Sequence, residues 1–169
     1  MMNASTARML TRYNAWADRK IYDAVAALPQ GEAEKVRVSL DKSMIHTLHH
    51  IYIIDAIWQG HLEGRDHGFT SRRAADNLQL SELWPKQKQI DDWFVDWSDK
   101  VTDKEMNEEV QFTLIGGNKG VMKRGEILLH LVVHKGYHRG FACDMFYQVP
   151  SLTPQTDLPV YLREAGANA

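Results

Sequence analysis

Leu128 to Phe141 reads LLHLVVHKGYHRGF, and the helix this stretch predicts decides the fold. Ile127, Leu131, His134, His138, Phe141 and Met145 recur at alternating steps of four and three, the seam a helix turns toward a bundle core. Two of those positions are histidines where Leu or Ile would be ordinary. A buried polar side chain without a partner costs roughly 1–3 kcal/mol, so a compensating partner is implied. Positions four apart lie ~40° apart around a helix and ~6 Å along it, which lets His134 and His138 aim ring nitrogens at one point. His130 repeats the spacing, but it is ~12 Å along the axis from His138, too far for one ion with ligand bonds of ~2.0–2.1 Å. This helix therefore offers two ligands to an ion, and the others must come from elsewhere.

The third histidine is found upstream. A helix over about Asp41 to Leu62, with Gly64 as its stop, carries Met44, Ile45, Leu48, Ile51, Ile54, Ile57 and Trp58 and is buried around much of its circumference. His50 lies in line with Thr47, Ile54 and Ile57, while His49 is rotated ~100° from it, so His50 is the better candidate ligand. Two further long helices fit the apolar spacing. The first runs from about Ser5 to Leu28, with Asn14 as a polar intruder on its seam, and ends at Pro29 and Gly31. Another begins near Ser81, with Pro85 in or near its first turn, and carries Leu83, Ile90, Phe94, Trp97 and Val101. Its Trp84, Trp93 and Trp97 are best explained by core packing.

Between these helices lie a polar connection, Glu32 to Leu40, and a charged, glycine-containing surface loop, Gly64 to Leu80. Thr102 to Glu105 has the spacing of a capping box. Val110 to Ile115 and Gly120 to Lys123 read as two short strands about a turn at Gly116, Gly117 and Asn118, and GGNKG lacks the ending and context of a phosphate-binding loop. The last long helix covers about Arg124 to Tyr147. Pro150, Pro154 and Pro159 then mark an irregular tail, with Pro159 opening a short helical piece to about Glu164. The expected fold is all-α: one domain over residues 1–169, an antiparallel four-helix bundle with long crossover loops and a small β-hairpin before the last long helix.

Composition narrows the function. The chain of 169 residues is 44% hydrophobic and 25% charged, ordinary globular usage, with a formal net charge of −2. That balance gives no electrostatic footprint for nucleic acid or for an anionic membrane. No apolar run reaches the ~18 residues of a membrane span, and the N-terminus lacks the apolar stretch of a signal peptide, so a soluble cytoplasmic protein is the default. One cysteine, Cys143, excludes an internal disulfide framework and lies ~140° around the helix from His138, a poor position for the same site.

His50, His134 and His138 thus make a three-histidine set that leaves positions open for water or substrate, the arrangement of a catalytic rather than a structural site. Di-iron bundles need paired Glu-x-x-His elements and zincin proteases need His-Glu-x-x-His; neither occurs, since His130 to His134 reads HLVVH. Imidazole accepts several divalent ions, with zinc or nickel favoured here and iron next. Such an ion can polarise a substrate oxygen, lower the pKa of water to ~7, or hold a thiolate. Asn14, His46 and His130 are candidates to orient the ligands or to handle protons.

YNAWAD from Tyr13, LHHIYIIDAIW from Leu48 to Trp58, the hairpin, HKGYHRG from His134 to Gly140 and DLPVYLRE from Asp157 together resemble the DinB/YfiT-like superfamily of four-helix-bundle metalloenzymes, distinct from the DNA polymerase that shares the DinB name. The resemblance spans nearly the whole chain and places the metal triad on His50, His134 and His138. Where that superfamily often has asparagine before the first of the last helix's two histidines and glutamine after His-Arg-Gly, this chain has Val133 and Phe141, and Arg139 is expected to be structural or at a dimer contact. The resemblance implies a homodimer and a small-molecule substrate, with a low-molecular-weight thiol as cosubstrate in a thiol S-transferase, or a hydrolase reaction. Two alternatives stand beside it: a non-catalytic metal-binding or stress-related protein whose ion clamps two helices, and a metal-free interaction module.

Overall fold

The computed structural model describes residues 2–76, 78–149 and 151–166; Pro150 lies outside them. Four long helices dominate: α1 (Ala4–Ala26), α2 (Met44–Glu63), α3 (Leu80–Lys100) and α4 (Arg124–Phe146), followed by a short α5 (Leu158–Gly166). Between α3 and α4 come a single 3-10 turn (Glu105–Asn107) and the strands β1 (Glu109–Thr113) and β2 (Lys119–Lys123). The strands pair antiparallel with Glu109 opposite Lys123 and Thr113 opposite Lys119. The all-α bundle with a small hairpin is therefore as expected, and no helix is long and apolar enough to cross a membrane among the described residues.

Local chemistry sets the helix ends. The Asn3 side chain accepts from the Thr6 N–H at 2.8 Å, and α2 stops where Gly64 turns left-handed at φ 68°. The Thr102 and Glu105 capping box is present, with Thr102 N–H and Oγ1 both donating to Glu105 Oε2. One of these helix starts is as expected and another is not. The third long helix starts at Leu80 and carries Pro85 just past its first turn, on an exposed face where the backbone hydrogen bond that proline cannot make is left facing solvent. The second helix begins at Met44 rather than Asp41, because Ser43 caps it by accepting from His46 N–H at 3.2 Å. Lys42 before the cap has φ 63°, left-handed and uncommon for a side-chain-bearing residue. The consequence is that Asp41 leaves the helix and turns its carboxylate inward.

The helices pack as a ring in which α1 and α2 stand diagonally, as do α3 and α4. Each helix has one antiparallel and one parallel neighbour. Near one end of α1, Thr11 Oγ1 meets Ser98 Oγ at 2.8 Å, and toward its other end Tyr22 meets Trp84, so α1 and α3 run oppositely. His50 beside His138 and Trp58 beside His130 make α2 and α4 opposite too. By contrast Leu48 and Ile51 pack with Leu83 while Ile57 and Leu62 pack with Phe94, which makes α2 and α3 parallel. A parallel pair requires the chain to travel back along the bundle, the task of residues 64–79. That crossover becomes a wall of the site described below.

The core has three apolar clusters, around Met44, Leu83 and Phe146, around Ile57, Phe94 and Leu131, and around Ala7, Met106 and Leu128. Trp93 and Trp97 stack at 6.3 Å on the margin of the second, in keeping with core packing. In the middle of the helices sits a charged cluster that the apolar periodicity did not anticipate. Lys135 Nζ lies 2.6 Å from Asp18, 2.8 Å from Asp55 and 2.8 Å from Asp91, and all four side chains are essentially inaccessible. Gln87 donates to Asp55 at 2.8 Å and to Asp91 at 3.0 Å, while Arg139 Nη1 reaches Asp18 at 3.3 Å and Asn14 at 3.4 Å. Arg139 is only 2% exposed, so it is a structural residue inside the bundle and not a surface contact.

Charge counting explains the protonation of this cluster. Three carboxylates against one ammonium and one guanidinium would leave an uncompensated negative charge. Burial, the largest influence, pushes Asp91 up to about 8 and also raises Asp55. Burial opposes the charge on Lys135, yet Asp18, Asp55 and Asp91 hold its ammonium well above the ordinary lysine range. A proton retained among the carboxylates makes the cluster neutral. It also supplies a donor where Asp55 Oδ1, Gln87 Oε1 and Asp91 Oδ2 are buried without one.

Candidate metal centre

His50 comes from the buried face of α2, and His134 and His138 come from α4. One ring nitrogen of each lies within 4.8 Å of the other two. His50 and His138 are buried and His134 is half-buried. The buried stripe of α4 is rotated slightly from the expected seam: Lys135 and Arg139 join Leu131, His138, Ala142 and Met145 inside, leaving His134 and Phe141 at its edge. The salt-bridge cluster draws those two cations inward, and His134 is thereby placed on the wall of a cavity.

Each outer nitrogen tells how its ring is oriented. His50 Nδ1 lies 2.7 Å from the Arg72 carbonyl, which can only accept, so this nitrogen carries the proton and Nε2 carries the lone pair. His138 Nδ1 lies 2.9 Å from Asp41 Oδ2. Burial disfavours ionisation of Asp41, but the hydrogen bond from His138 and the charge of Arg73 outweigh it and hold the carboxyl below its usual range. An ionised Asp41 is an acceptor, so His138 Nδ1 carries a proton and Nε2 is the nitrogen turned inward, where the neutral ring offers its lone pair. Arg73 Nη2 stands 2.7 Å from the other oxygen, Asp41 Oδ1, as an ion pair rather than a directed hydrogen bond.

The inner nitrogens of His50 and His134 are 3.2 Å apart. Burial, reinforced by His138 and His50, pushes His134 down to about 3, and burial also lowers His50. His50 and His134 are therefore neutral near pH 7. In the metal-free chain the single proton of His134 can bridge to His50; with a cation present it must move to His134 Nδ1, which is buried without a partner. Two ligands held at ~2.0–2.1 Å from one ion are about 3.0–3.4 Å apart, the separation these two nitrogens have. The donor set thus fits a divalent ion held by His50, His134 and His138.

The cavity against the triad measures about 630 Å³. Ile54, Ile57 and Trp58 of α2 form one wall, Thr70 to Arg73 of the crossover form another, and Leu114 and Ile115 of the hairpin turn close the side. His130 also borders it, its ring centroid 5.7 Å from His134 and 5.3 Å from Trp58. Asn14 and His46 are placed differently: Asn14 joins the salt-bridge cluster through Arg139, and no hydrogen bond links either residue to the triad among the described residues. The partners of the outer nitrogens, Asp41 and the Arg72 carbonyl, escaped sequence reasoning. A backbone acceptor leaves no residue-type signal, and Asp41 had been absorbed into the helix. Cys143 lies apart, with its Sγ 3.9 Å from the Pro154 carbonyl.

A carboxylate on the far side of a ligating imidazole raises its basicity and fixes its orientation, commonly to the extent of 10–100-fold in metal affinity. Asp41→Asn is therefore expected to weaken zinc binding by roughly tenfold to a hundredfold while leaving the fold intact. Competition against a chromophoric chelator measures this, and an unchanged affinity would remove Asp41 from the account.

The chain matches one protein-family model, described as DinB family, over residues 1–168. It is 28% identical over 166 residues to Protein DinB of Bacillus subtilis (strain 168), covering 90% of this chain and 91% of that protein. Among solved structures, the crystal structure of a DinB-like protein from Bacillus cereus ATCC 10987 is similar with a TM-score of 0.58 and 14% identity, over 83% of this chain and 90% of the other. At that identity the likeness speaks for the fold alone.

Proposed function

This chain belongs to the DinB family, and from that membership together with the convergent histidines we propose that it is a divalent-metal-dependent enzyme of thiol S-transferase or hydrolase type. The observation carrying the proposal is the junction of three inward-facing imidazole nitrogens with a cavity of about 630 Å³, because a purely structural ion needs no adjoining space. A neutral all-nitrogen set accepts zinc, nickel, iron and copper alike, and of these we propose zinc or nickel. When bound, the ion supplies Lewis acidity at the head of the cavity.

The chain's own residues account for the remainder. Arg72 O and Asp41 hold His50 and His138 in orientation, and the apolar wall of Ile54, Ile57 and Trp58 excludes water from one side of a bound substrate. His130, kept neutral by its partial burial, is the side chain we assign to proton transfer at the cavity rim. A homodimer belongs to the same proposal. Leu129, Val133 and Tyr137 are 51%, 63% and 59% exposed on one face of α4, a surface suited to a second copy.

Cobalt(II) substitution tests the thiol branch. Addition of a small thiol, 2-mercaptoethanol, to the cobalt-loaded chain is expected to produce an intense near-ultraviolet sulfur-to-metal band that His134→Ala lacks. A cobalt-loaded chain whose spectrum ignores the thiol would discard the S-transferase branch and leave hydrolysis.

A further inference from the structure

Among the described residues the cavity wall contains no aspartate or glutamate, yet it contains two arginines in sequence, Arg72 and Arg73. Arg73 is held at the triad by its ion pair with Asp41, while its side chain remains 39% accessible. Its guanidinium is close enough to His50 to disfavour protonation of that ring. One nitrogen faces Asp41, which leaves other donors of the fork free for a second anion. Arg72 gives its carbonyl to His50, and no carboxylate pairs with its side chain among the described residues. Counting Asp41 against the two arginines leaves the wall with a surplus positive charge before any metal is added. The same cavity is lined by Trp58, Ile57 and Ile115, which offer an apolar surface.

A site with a cationic wall, an apolar wall and no acid repels cations and gives little to neutral polar molecules. We propose that the substrate of this centre is an organic carboxylate, its anionic group held by Arg73 with Arg72 beside it and its apolar body laid against Trp58. The guanidinium fork matches a carboxylate in geometry and charge, and a partly enclosed site reduces competition from water. This inference rests on the metal-enzyme reading for the role of the site, but the selectivity resides in the arginines. It is therefore measurable without turnover.

The probes are 4-phenylbutyrate and its neutral isostere 4-phenylbutanamide, titrated calorimetrically into the zinc-loaded chain and into the metal-stripped chain, with zinc content determined on the same samples. The acid is expected to bind about tenfold or more tighter than the amide in both forms, the effect of a charge-assisted hydrogen bond. Arg73→Gln should lose most of that preference. Arg72→Gln, which leaves the Asp41 ion pair untouched, should lose a smaller part. Equal binding of acid and amide, absence of acid binding at millimolar concentration, or a preference unchanged in both variants overturns the proposal. A wild-type chain without zinc speaks against the metal reading instead, and the metal-stripped titration still decides the carboxylate question.

Discussion

Replacing Lys135 with methionine is expected to lower the unfolding free energy of the metal-free chain by about 3–5 kcal/mol at neutral pH, the usual result of removing one partner from a buried ionic cluster. Methionine matches the lysine stem in length, so the loss is electrostatic rather than a cavity. Asp18, Asp55 and Asp91 all lie within 2.8 Å of the ammonium, and Arg139 alone cannot neutralise them. The variant can respond only by binding protons, which fixes the pH dependence. Asp55 and Asp91 already have raised pKa values in the folded chain, and loss of the ammonium raises them further. A carboxyl whose folded pKa exceeds its unfolded value of ~3.8 contributes stability that is present at low pH and is lost as pH rises through the folded pKa. The deficit of Lys135→Met should therefore be larger at pH 8 than at pH 5. Urea unfolding across that range measures it, with a fall in Tm on the order of 10 °C at neutral pH. A loss below about 1 kcal/mol, or one independent of pH, would show that the ammonium is not what neutralises the cluster.

Much of the fold was legible because it is written in local signals. Gly64 ends α2 where a left-handed residue is needed, the Thr102 and Glu105 box forms, and two glycines turn the hairpin at φ 104° and 91°. The relation of His50 to His134 and His138 was also within reach, because two helical spacings restrict which nitrogens can converge. What escaped has a common physical origin. Asp18, Asp55, Asp91 and Lys135 lie on four different helices, and each alone looks like an ordinary solvated charge. Their partnership exists only after packing. The available signal was modest: Asp55 is the one charge within IYIIDAIW, and Lys135 stands one position from the histidine seam. The parallel course of α2 and α3 was similarly hidden, since it depends on which way the crossover over residues 64–79 travels. That same crossover brings Arg72 and Arg73 to the histidines, so the topology and the site are linked.

The second large effect concerns the centre itself. Removing His138 takes away a ligand and leaves Asp41 facing Arg73 alone, and two imidazoles from His50 and His134 cannot hold a divalent ion as three do. Zinc affinity of His138→Ala is expected to fall by at least about a hundredfold, more than for Asp41→Asn, which perturbs a ligand without deleting it. The fold should survive, because the apolar clusters and the Lys135 cluster do not include this ring.

The most direct measurement is metal content per chain by mass spectrometry on protein purified without a histidine tag, for wild type and His138→Ala side by side. One ion per wild-type chain and almost none in the variant is the predicted result. A wild-type chain that takes up no ion, even after reconstitution with zinc, nickel and iron under reducing conditions, would contradict the metal centre and leave the convergence of His50, His134 and His138 without a function.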